Sequence, residues 1–244
     1  MLRSPRGDPP AVLVPQGALR EQVVIALEDE ERHHLRVRRA AEGEPVRLFD
    51  GGGAIAEGTL LLQGRDLAVL VGAVSLVPQP PRFVLVVGAG DRDRFAWLVE
   101  KAAELGVSDL VPLVTERTSS VAAGIRPTHV AALQRRARQA IKQSRAPWSP
   151  VIHPPRSIEE VTADTTSHHR WLGDVNGNPP PAVSPDGPMT VVVGPEGGFT
   201  SEERERFLEA GFTPVRLAPH LLRFETAALA AAAVVASQRP RRFG

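Results

Sequence analysis

The 244-residue chain contains no cysteine, which removes disulfides, thiolate zinc sites and cysteine nucleophiles together. It has no run of roughly 18 apolar residues, the length a membrane-spanning helix needs. The alanine-rich stretch 227–236 is ten residues long and reads as a packed helix. The N-terminus is basic, but proline breaks its apolar stretch, which is too short for the core of a signal peptide. Nor is there an excess of charge. Lys and Arg number 29 against 28 Asp and Glu, so the net charge of +1 demands no nucleic-acid partner by itself. The seven histidines show no H-x-x-x-H spacing, and the neighbours His33 and His34 cannot share one face of a helix. No metal site is expected. The dinucleotide fingerprint G-x-G-x-x-G and the phosphate-loop ending G-K-[ST] are missing as well. These absences leave a soluble, cytoplasmic protein with no metal and no membrane segment as the expectation.

The sequence that remains has two textures. Up to Val77, short Val- and Leu-rich strands are predicted at 23–27, 45–49, 54–63 and 66–77, punctuated by Asp50-Gly51-Gly52-Gly53 and Gln63-Gly64-Arg65. One or two helical turns over 28–39 interrupt them. Close, regular strand spacing suggests a small barrel or sandwich. Pro78-Gln79-Pro80-Pro81 is a stiff stretch suited to a linker, which gives one domain over 1–77 and a second over 82–244. In the second, the continuous apolar run 83–87 predicts a strand covered on both faces. A helix follows, capped by Asp91 or Asp93 and ended by Gly106, with Phe95, Leu98, Val99, Ala102 and Leu105 on one side. Further strands are expected at 109–114, 151–152, 169–172, 190–193 and 214–218. Helices are expected at 127–144, from Ser157, from Thr200 or Ser201, and after Arg223, with a proline-rich loop over 176–188. Alternating strands and helices imply an α/β fold with a mostly parallel sheet.

The densest chemistry lies in 193–227. A strand feeds into Gly194-Pro195-Glu196-Gly197-Gly198, where missing side chains let a ligand approach the backbone. Thr200 and Glu203 have capping-box spacing. After the strand at 214–218 come Pro219-His220 and Leu221-Leu222-Arg223-Phe224-Glu225-Thr226. Loops at the ends of neighbouring strands are where open α/β sheets place ligands. Glu196 would repel a phosphate, which favours a cationic ligand. Arg223, in an apolar run, either pairs with Glu196 or Glu225 or meets an anion. Glu225 has an ordinary alternative role, since a helix N-terminus favours a carboxylate. Basic residues also cluster: Arg32, Arg36, Arg38 and Arg39 in one place, Arg135, Arg136, Arg138, Lys142 and Arg145 in another. Two such clusters in a nearly neutral chain point toward RNA or DNA without naming which.

Taken in order, these pieces resemble the bacterial RsmE family of 16S rRNA uridine N3-methyltransferases, in the SPOUT superfamily. The resemblance runs through His33-His34-Leu35-Arg36-Val37-Arg38, Leu48-Phe49-Asp50-Gly51, Lys101-Ala102-Ala103-Glu104-Leu105-Gly106-Val107, Pro112, Glu116-Arg117 and Lys142-Gln143-Ser144-Arg145 with Pro150. It is strongest at Gly194-Pro195-Glu196-Gly197-Gly198-Phe199 and Leu222-Arg223-Phe224-Glu225-Thr226-Ala227. Two positions depart from the family pattern. Ala218 stands where a glycine is usual, and His220 where an arginine is common.

The resemblance implies an N-terminal PUA-like β-barrel that helps hold RNA, then a SPOUT α/β domain with a trefoil knot near 170–240. It also implies a homodimer using S-adenosylmethionine, with 16S rRNA in the small ribosomal subunit as substrate. By motif, Leu172, Gly194, Pro195, Glu196, Gly197, Gly198, Leu217, Ala218, Leu221 and Leu222 would surround the cofactor. Arg32, His34, Arg36, Arg38 and Arg145 would meet RNA. Uracil N3 must lose its proton before it attacks a methyl group, so Arg223 is the candidate to stabilise the resulting charge. Glu196 or Glu225 would orient Arg223 or take the proton. Rival readings are a ribose 2′-O-methyltransferase, an RNA-binding module without catalysis, and a His/Glu hydrolase, the last without any Ser or Cys nucleophile motif behind it.

Overall fold

The computed structural model describes residues 8–64, 66–88, 90–118, 126–164, 166–184 and 186–239. They fall into two compact units. One comprises residues up to Gln79 together with Ile141–Ser149, and the other Pro80–Ala140 with the residues from Pro150 onward.

The first unit contains β1 (Ala11–Leu13), β2 (Val24–Ala26), α1 (Asp29–Val37), β3 (Pro45–Phe49), β4 (Ala54–Gln63) and β5 (Asp66–Leu76). The strands form one sheet in the order β1-β3-β4-β5-β2, antiparallel except for β1 beside β3. In β4 the residues Ala54, Ala56, Gly58 and Leu60 are buried in alternation, the two-residue period of a strand with one covered face. They join Val12, Leu35, Leu48 and Val69 in one core. Asp50 organises the glycine turn between β3 and β4. Its Oδ1 accepts from the amides of Gly52 (2.7 Å) and Ala54 (3.0 Å), and its Oδ2 from Gly17 (3.0 Å).

Residues 141–149 belong to this unit, although no local signal in the sequence separates them from the preceding helix. Lys142 Nζ donates to buried Glu31 at 2.8 Å, and Trp148 Nε1 to the Val77 carbonyl at 3.1 Å. Gly53 faces the Trp148 ring so closely that a Cβ there would lie 2.3 Å from it, and its φ of +94° also suits glycine. Short β1 was not among the strands expected either.

The second unit runs β6 (Phe83–Val87), α2 (Arg92–Glu104), β7 (Asp109–Pro112), α3 (Pro127–Ser144), β8 (Val151–Ile152), α4 (Ile158–Thr162), β9 (His169–Asn178), β10 (Met189–Val193), α5 (Ser201–Glu209), β11 (Thr213–Val215) and α6 (Phe224–Ser237). The last residues of α3 lie in the first unit. All six strands are parallel, in the order β11-β9-β10-β6-β7-β8. The apolar run of β6 is buried throughout, and its side chains divide between two cores. Phe83, Leu85 and Val87 join α2 and α6 through Phe95, Leu98, Ala228 and Ala232. Val84 and Val86 join α4 and α5 through Ile158, Val161 and Phe207. Helices therefore cover both faces, as the alternation implied.

Local signals set the helix ends. The Asp91 side chain caps α2 by accepting from the Arg94 amide, and Gly106, at φ +74°, follows its C-terminus. Capping boxes start α4 (Ser157, Glu160) and α5 (Thr200, Glu203). The strands differ more from expectation. β9 continues to Asn178, into the stretch read as loop, because pairing to β11 sustains a polar sequence that shows no alternation of its own. There Arg216 N donates to the Asn178 carbonyl at 2.7 Å. A side chain at Gly177 would come within 2.6 Å of the Pro214 backbone. β7 and β11 stop earlier than read, at Pro112 and Val215. Among the described residues no helix is long and apolar enough to cross a membrane.

Candidate active site

Residues 172–176 within β9, together with the loops that follow β10 and β11, line a cavity of about 420 Å³. Leu172, Gly194, Pro195, Glu196, Gly197, Gly198, Leu217, Ala218, Leu221 and Leu222 all line it. Every position that the motifs assigned to the cofactor thus meets in one space. Val193, Val215, Phe224 and Ala227 extend the apolar wall, and Asp174, Asn176, Arg204, Arg216 and His220 supply polar groups.

The glycine loop is held from several sides. Gly198, at φ +69°, donates its amide to the Pro195 carbonyl at 2.8 Å, which closes a tight turn. Gly88, just past β6, donates to the Val193 carbonyl at 2.9 Å, and a Cβ at 88 would sit 2.7 Å from the Pro195 ring. Below the loop, the capping carboxylate of Glu203 takes the Thr200 amide on one oxygen and the Glu116 amide (2.8 Å) on the other. That second bond ties α5 to the turn after β7, which is fixed internally by Thr118 Oγ1 bonding Thr115 and the Leu113 carbonyl. From this turn the Arg117 guanidinium donates to the Gly197 carbonyl and reaches that of Gly198 at 3.5 Å. A Cβ on Gly197 would lie 2.9 Å from Arg117 Cδ.

The charged groups are arranged differently from the sequence reading. Arg223 is the N-cap residue of α6; it is exposed, and among the described residues no carboxylate pairs with it. Both candidate carboxylates pair instead with Arg94, on α2. Arg94 Nη1 lies 3.3 Å from Glu196 Oε1, and Arg94 Nε lies 3.9 Å from Glu225 Oε1. Glu196 lines the cavity with its side chain 41 % exposed. Glu225 is buried, and among the described residues its Oε2 has no hydrogen-bond partner. Asp174 is half-buried on the cavity wall, bound by Arg204 Nε at 2.7 Å and by the Asn176 amide at 2.9 Å.

Arg94, Arg117 and Asp174 escaped the sequence reading as site residues. Arg94 and Glu196 are 102 residues apart, and no local pattern links them. Glu116-Arg117 stood out only as a piece of the family pattern. Among the described residues no group of three or more His, Asp or Glu is placed to hold a metal.

In the first unit the candidate RNA-facing residues lie on α1, at its C-cap (Arg38) or in the 141–149 return. Arg32 pairs with Asp29 and with Asp66 (3.3 Å), Arg36 with Asp66 (3.8 Å), and Arg38 with Glu44 (3.1 Å). Arg145 pairs with Asp8 at 2.7 Å, and His34 is exposed.

Comparison with known proteins decides the family. A family model described as an RNA methyltransferase domain matches residues 77–236, and one described as an RNA methyltransferase PUA domain matches residues 27–71. The chain belongs to the RNA methyltransferase family. The RsmE resemblance drawn from the motifs is borne out among its relatives. Ribosomal RNA small subunit methyltransferase E of Aquifex aeolicus is 28 % identical over 222 residues, covering 87 % of this chain and 93 % of the relative. Its namesake from Synechocystis is 28 % identical over 232 residues, covering 88 % and 74 %. Among solved structures, the methyltransferase of the same name from Neisseria gonorrhoeae, bound to S-adenosyl methionine, superposes with a TM-score of 0.83 at 27 % identity, covering 95 % of this chain and 98 % of that one. A probable rRNA-methyltransferase from Porphyromonas gingivalis gives a TM-score of 0.79 at 29 % identity, covering 94 % and 98 %.

Proposed function

We propose that this RNA methyltransferase binds S-adenosylmethionine in the cavity lined by β9 and the loops after β10 and β11 and methylates N3 of a specific uridine in 16S rRNA, on the assembled small subunit. The observation that carries the reading is the convergence of all ten motif-assigned cofactor residues on one cavity of about 420 Å³. That volume lies in the usual range for small-molecule sites, roughly 300–1,000 Å³. The donor set suits the cofactor. Val193, Val215, Leu217, Leu222 and Phe224 offer an apolar slot for a purine, and the glycine loop offers bare backbone amides and carbonyls. Glu196 and Asp174 place negative charge where a cationic ligand would gain from it. When bound, S-adenosylmethionine supplies an electrophilic methyl group carried on a sulfonium.

The chain's own residues supply position and charge. Uracil N3 gives up its proton as the N–CH₃ bond forms, and negative charge spreads onto the carbonyl oxygens. Arg223, exposed beside the cavity-lining Leu222 and Phe224, is the group assigned to that charge. Of the two candidate proton acceptors, Glu196 is favoured. It faces the cavity, whereas the free oxygen of Glu225 is closed off from solvent. Holding the acceptor and donor in line supplies much of the acceleration as well. The first unit, with Arg32, His34, Arg36, Arg38 and Arg145, is assigned to RNA. The same reading carries a closed PUA-like barrel, a homodimer and a trefoil knot near residues 170–240. After β10 the chain passes β9 and pairs β11 with its far edge, a crossing that a knot in this region would contain.

The deciding experiment is methyl transfer from labelled S-adenosylmethionine to small-subunit particles lacking native modifications, with the product nucleoside identified by mass spectrometry. The expected product is 3-methyluridine. A ribose-methylated nucleoside would replace N3 by a hydroxyl acceptor, and cofactor binding without any product would overturn the assigned substrate.

A further inference from the structure

Arg94 contacts both carboxylates that the motifs brought forward, yet it does not line the cavity. An exposed ion pair of this kind is ordinarily worth about 0–1 kcal/mol, so its mere presence argues nothing. Two further observations set this one apart. First, the carboxylate of Glu196 lies directly against Gly90: a Cβ there would come within 2.1 Å of Glu196 Oε2 and push this carboxylate from its place. Second, the other partner of Arg94 is buried. Glu225 sits in the first turn of α6, where the helix dipole favours negative charge, and its Oε2 is closed off from solvent, with no hydrogen-bond partner among the described residues. A buried carboxylate cannot swing into water when its counter-ion moves, so it anchors the guanidinium from behind.

We infer that Arg94 is a positioning residue: Glu225 fixes its guanidinium from the interior, and the guanidinium in turn fixes the carboxylate of Glu196 at the cavity wall. The arrangement is a relay of charge contacts, acid to cation to acid, with a hydrogen bond on the Glu196 side (3.3 Å) and an ion pair alone on the Glu225 side (3.9 Å). It joins three separate segments, α2, the glycine loop and α6, and it gives Glu225 a role without contact to substrate. The inference rests on the reading of Glu196 as proton acceptor.

The test uses the full-length protein with S-adenosylmethionine and small-subunit particles. Arg94→Ala should lower kcat about tenfold or more, within the range attributed to a positioned general base, while the cofactor Kd moves by less than about threefold. Arg94→Lys should recover part of the loss. In the Glu196→Gln background, Arg94→Ala should cost nothing further, because both changes remove the same function. A kcat within about threefold of wild type, or losses that multiply in the double variant, would overturn the relay. A second readout needs no turnover: in ¹⁵N-labelled free protein the Arg94 Nε–H resonance should shift on Glu225→Gln and on Glu196→Gln. No shift with either rules the relay out, whatever the substrate. A shift in a protein whose wild type yields no methylated RNA leaves the relay standing and removes the proposed reaction. Should Arg94→Ala fail to fold, Arg94→Lys and the resonance shifts decide.

Discussion

The two ends of the parallel sheet handle charge in opposite ways. At the end where the strands begin, Asp109 opens β7 and is satisfied completely. Arg82 donates to it from Nε (3.0 Å) and Nη2 (3.3 Å), and His153 Nε2 stands 2.7 Å from its other contact point on Oδ1. Arg82 also reaches Asp164 at 3.5 Å and the Thr166 hydroxyl at 3.2 Å. At the end where the strands finish, Glu196 pairs with Arg94 but stays 41 % exposed and faces a cavity together with His220. Arg223 stands exposed beside it with no carboxylate partner among the described residues. Groups that neutralise one another secure the strands. Groups left open to a cavity are available to a ligand. The difference separates a structural cluster from a working one without any appeal to residue type, since both ends use Arg, His and carboxylates.

Substitution at the two ends should break different properties. The largest effect is expected at Arg223. Arg223→Ala should reduce turnover by about 10²–10³, the cost of removing one preorganised group that stabilises developing charge, with cofactor Kd nearly unchanged by calorimetry. Equal loss of turnover and affinity would make Arg223 a structural residue. At the other end, removing Arg82 leaves a largely buried carboxylate with His153 as its remaining partner, so Arg82→Ala should cost about 1–2 kcal/mol of stability in chemical denaturation. Cofactor affinity of the folded protein should stay the same.

The pH dependence follows from the same cluster. Burial opposes the charge on Asp109, but the bonds from His153 and Arg82 outweigh it and hold the carboxyl below its ordinary 3.8. A depressed folded-state value means that the stabilisation is complete above the unfolded value and lost as pH falls through the folded one. Acid titration should therefore unfold wild type more steeply below about pH 3.8 than it unfolds Asp109→Asn.

How far the sequence reached depended on distance along the chain. The Thr200–Glu203 box, the Asp91 cap and the uniformly apolar β6 were legible because each signal lies within a few residues of what it specifies. The residues that line the cavity were picked out through motif resemblance, not through periodicity. Three things were out of reach. β9 beyond Leu172 reads Gly-Asp-Val-Asn-Gly-Asn, and only its partner β11 makes it a strand. The return at 141–149 depends on the buried Lys142–Glu31 pair, whose members are 111 residues apart. The pairing of Arg94 with Glu196 and Glu225, in place of Arg223, is likewise a product of three distant segments.

Smaller effects sharpen the contrast. Gly197→Ala would press a methyl group to within 2.9 Å of Arg117 Cδ, and the arginine must shift away from the loop carbonyl it holds. The cost should appear as roughly a tenfold weaker cofactor Kd, since about 1.4 kcal/mol corresponds to tenfold and the side chain is able to move. Stability should hardly change, because Arg117 is exposed. Unchanged affinity would mean that the Arg117 bond does not shape the cavity.

The smallest effect is expected in the first unit, where the arginines of α1 resemble the satisfied end of the sheet more than the open one. Arg32 and Arg36 share Asp66, and Arg38 has Glu44, so each must trade a carboxylate for a phosphate when RNA arrives. These are exposed pairs, and the exchange costs little. Replacing Arg32, Arg36 and Arg38 together by alanine should weaken RNA binding and flatten its dependence on log salt by about two, given a slope near 0.7–0.9 per phosphate neutralised. Asp66→Asn tests the same exchange in the other direction. It releases Arg32 and Arg36 from their shared partner, so it should tighten RNA binding by about two- to threefold, the scale of an exposed pair. If the triple variant keeps the wild-type slope and Asp66→Asn leaves binding unaltered, the arginines serve α1 and its acidic neighbours, and the RNA contact must be sought elsewhere on the chain.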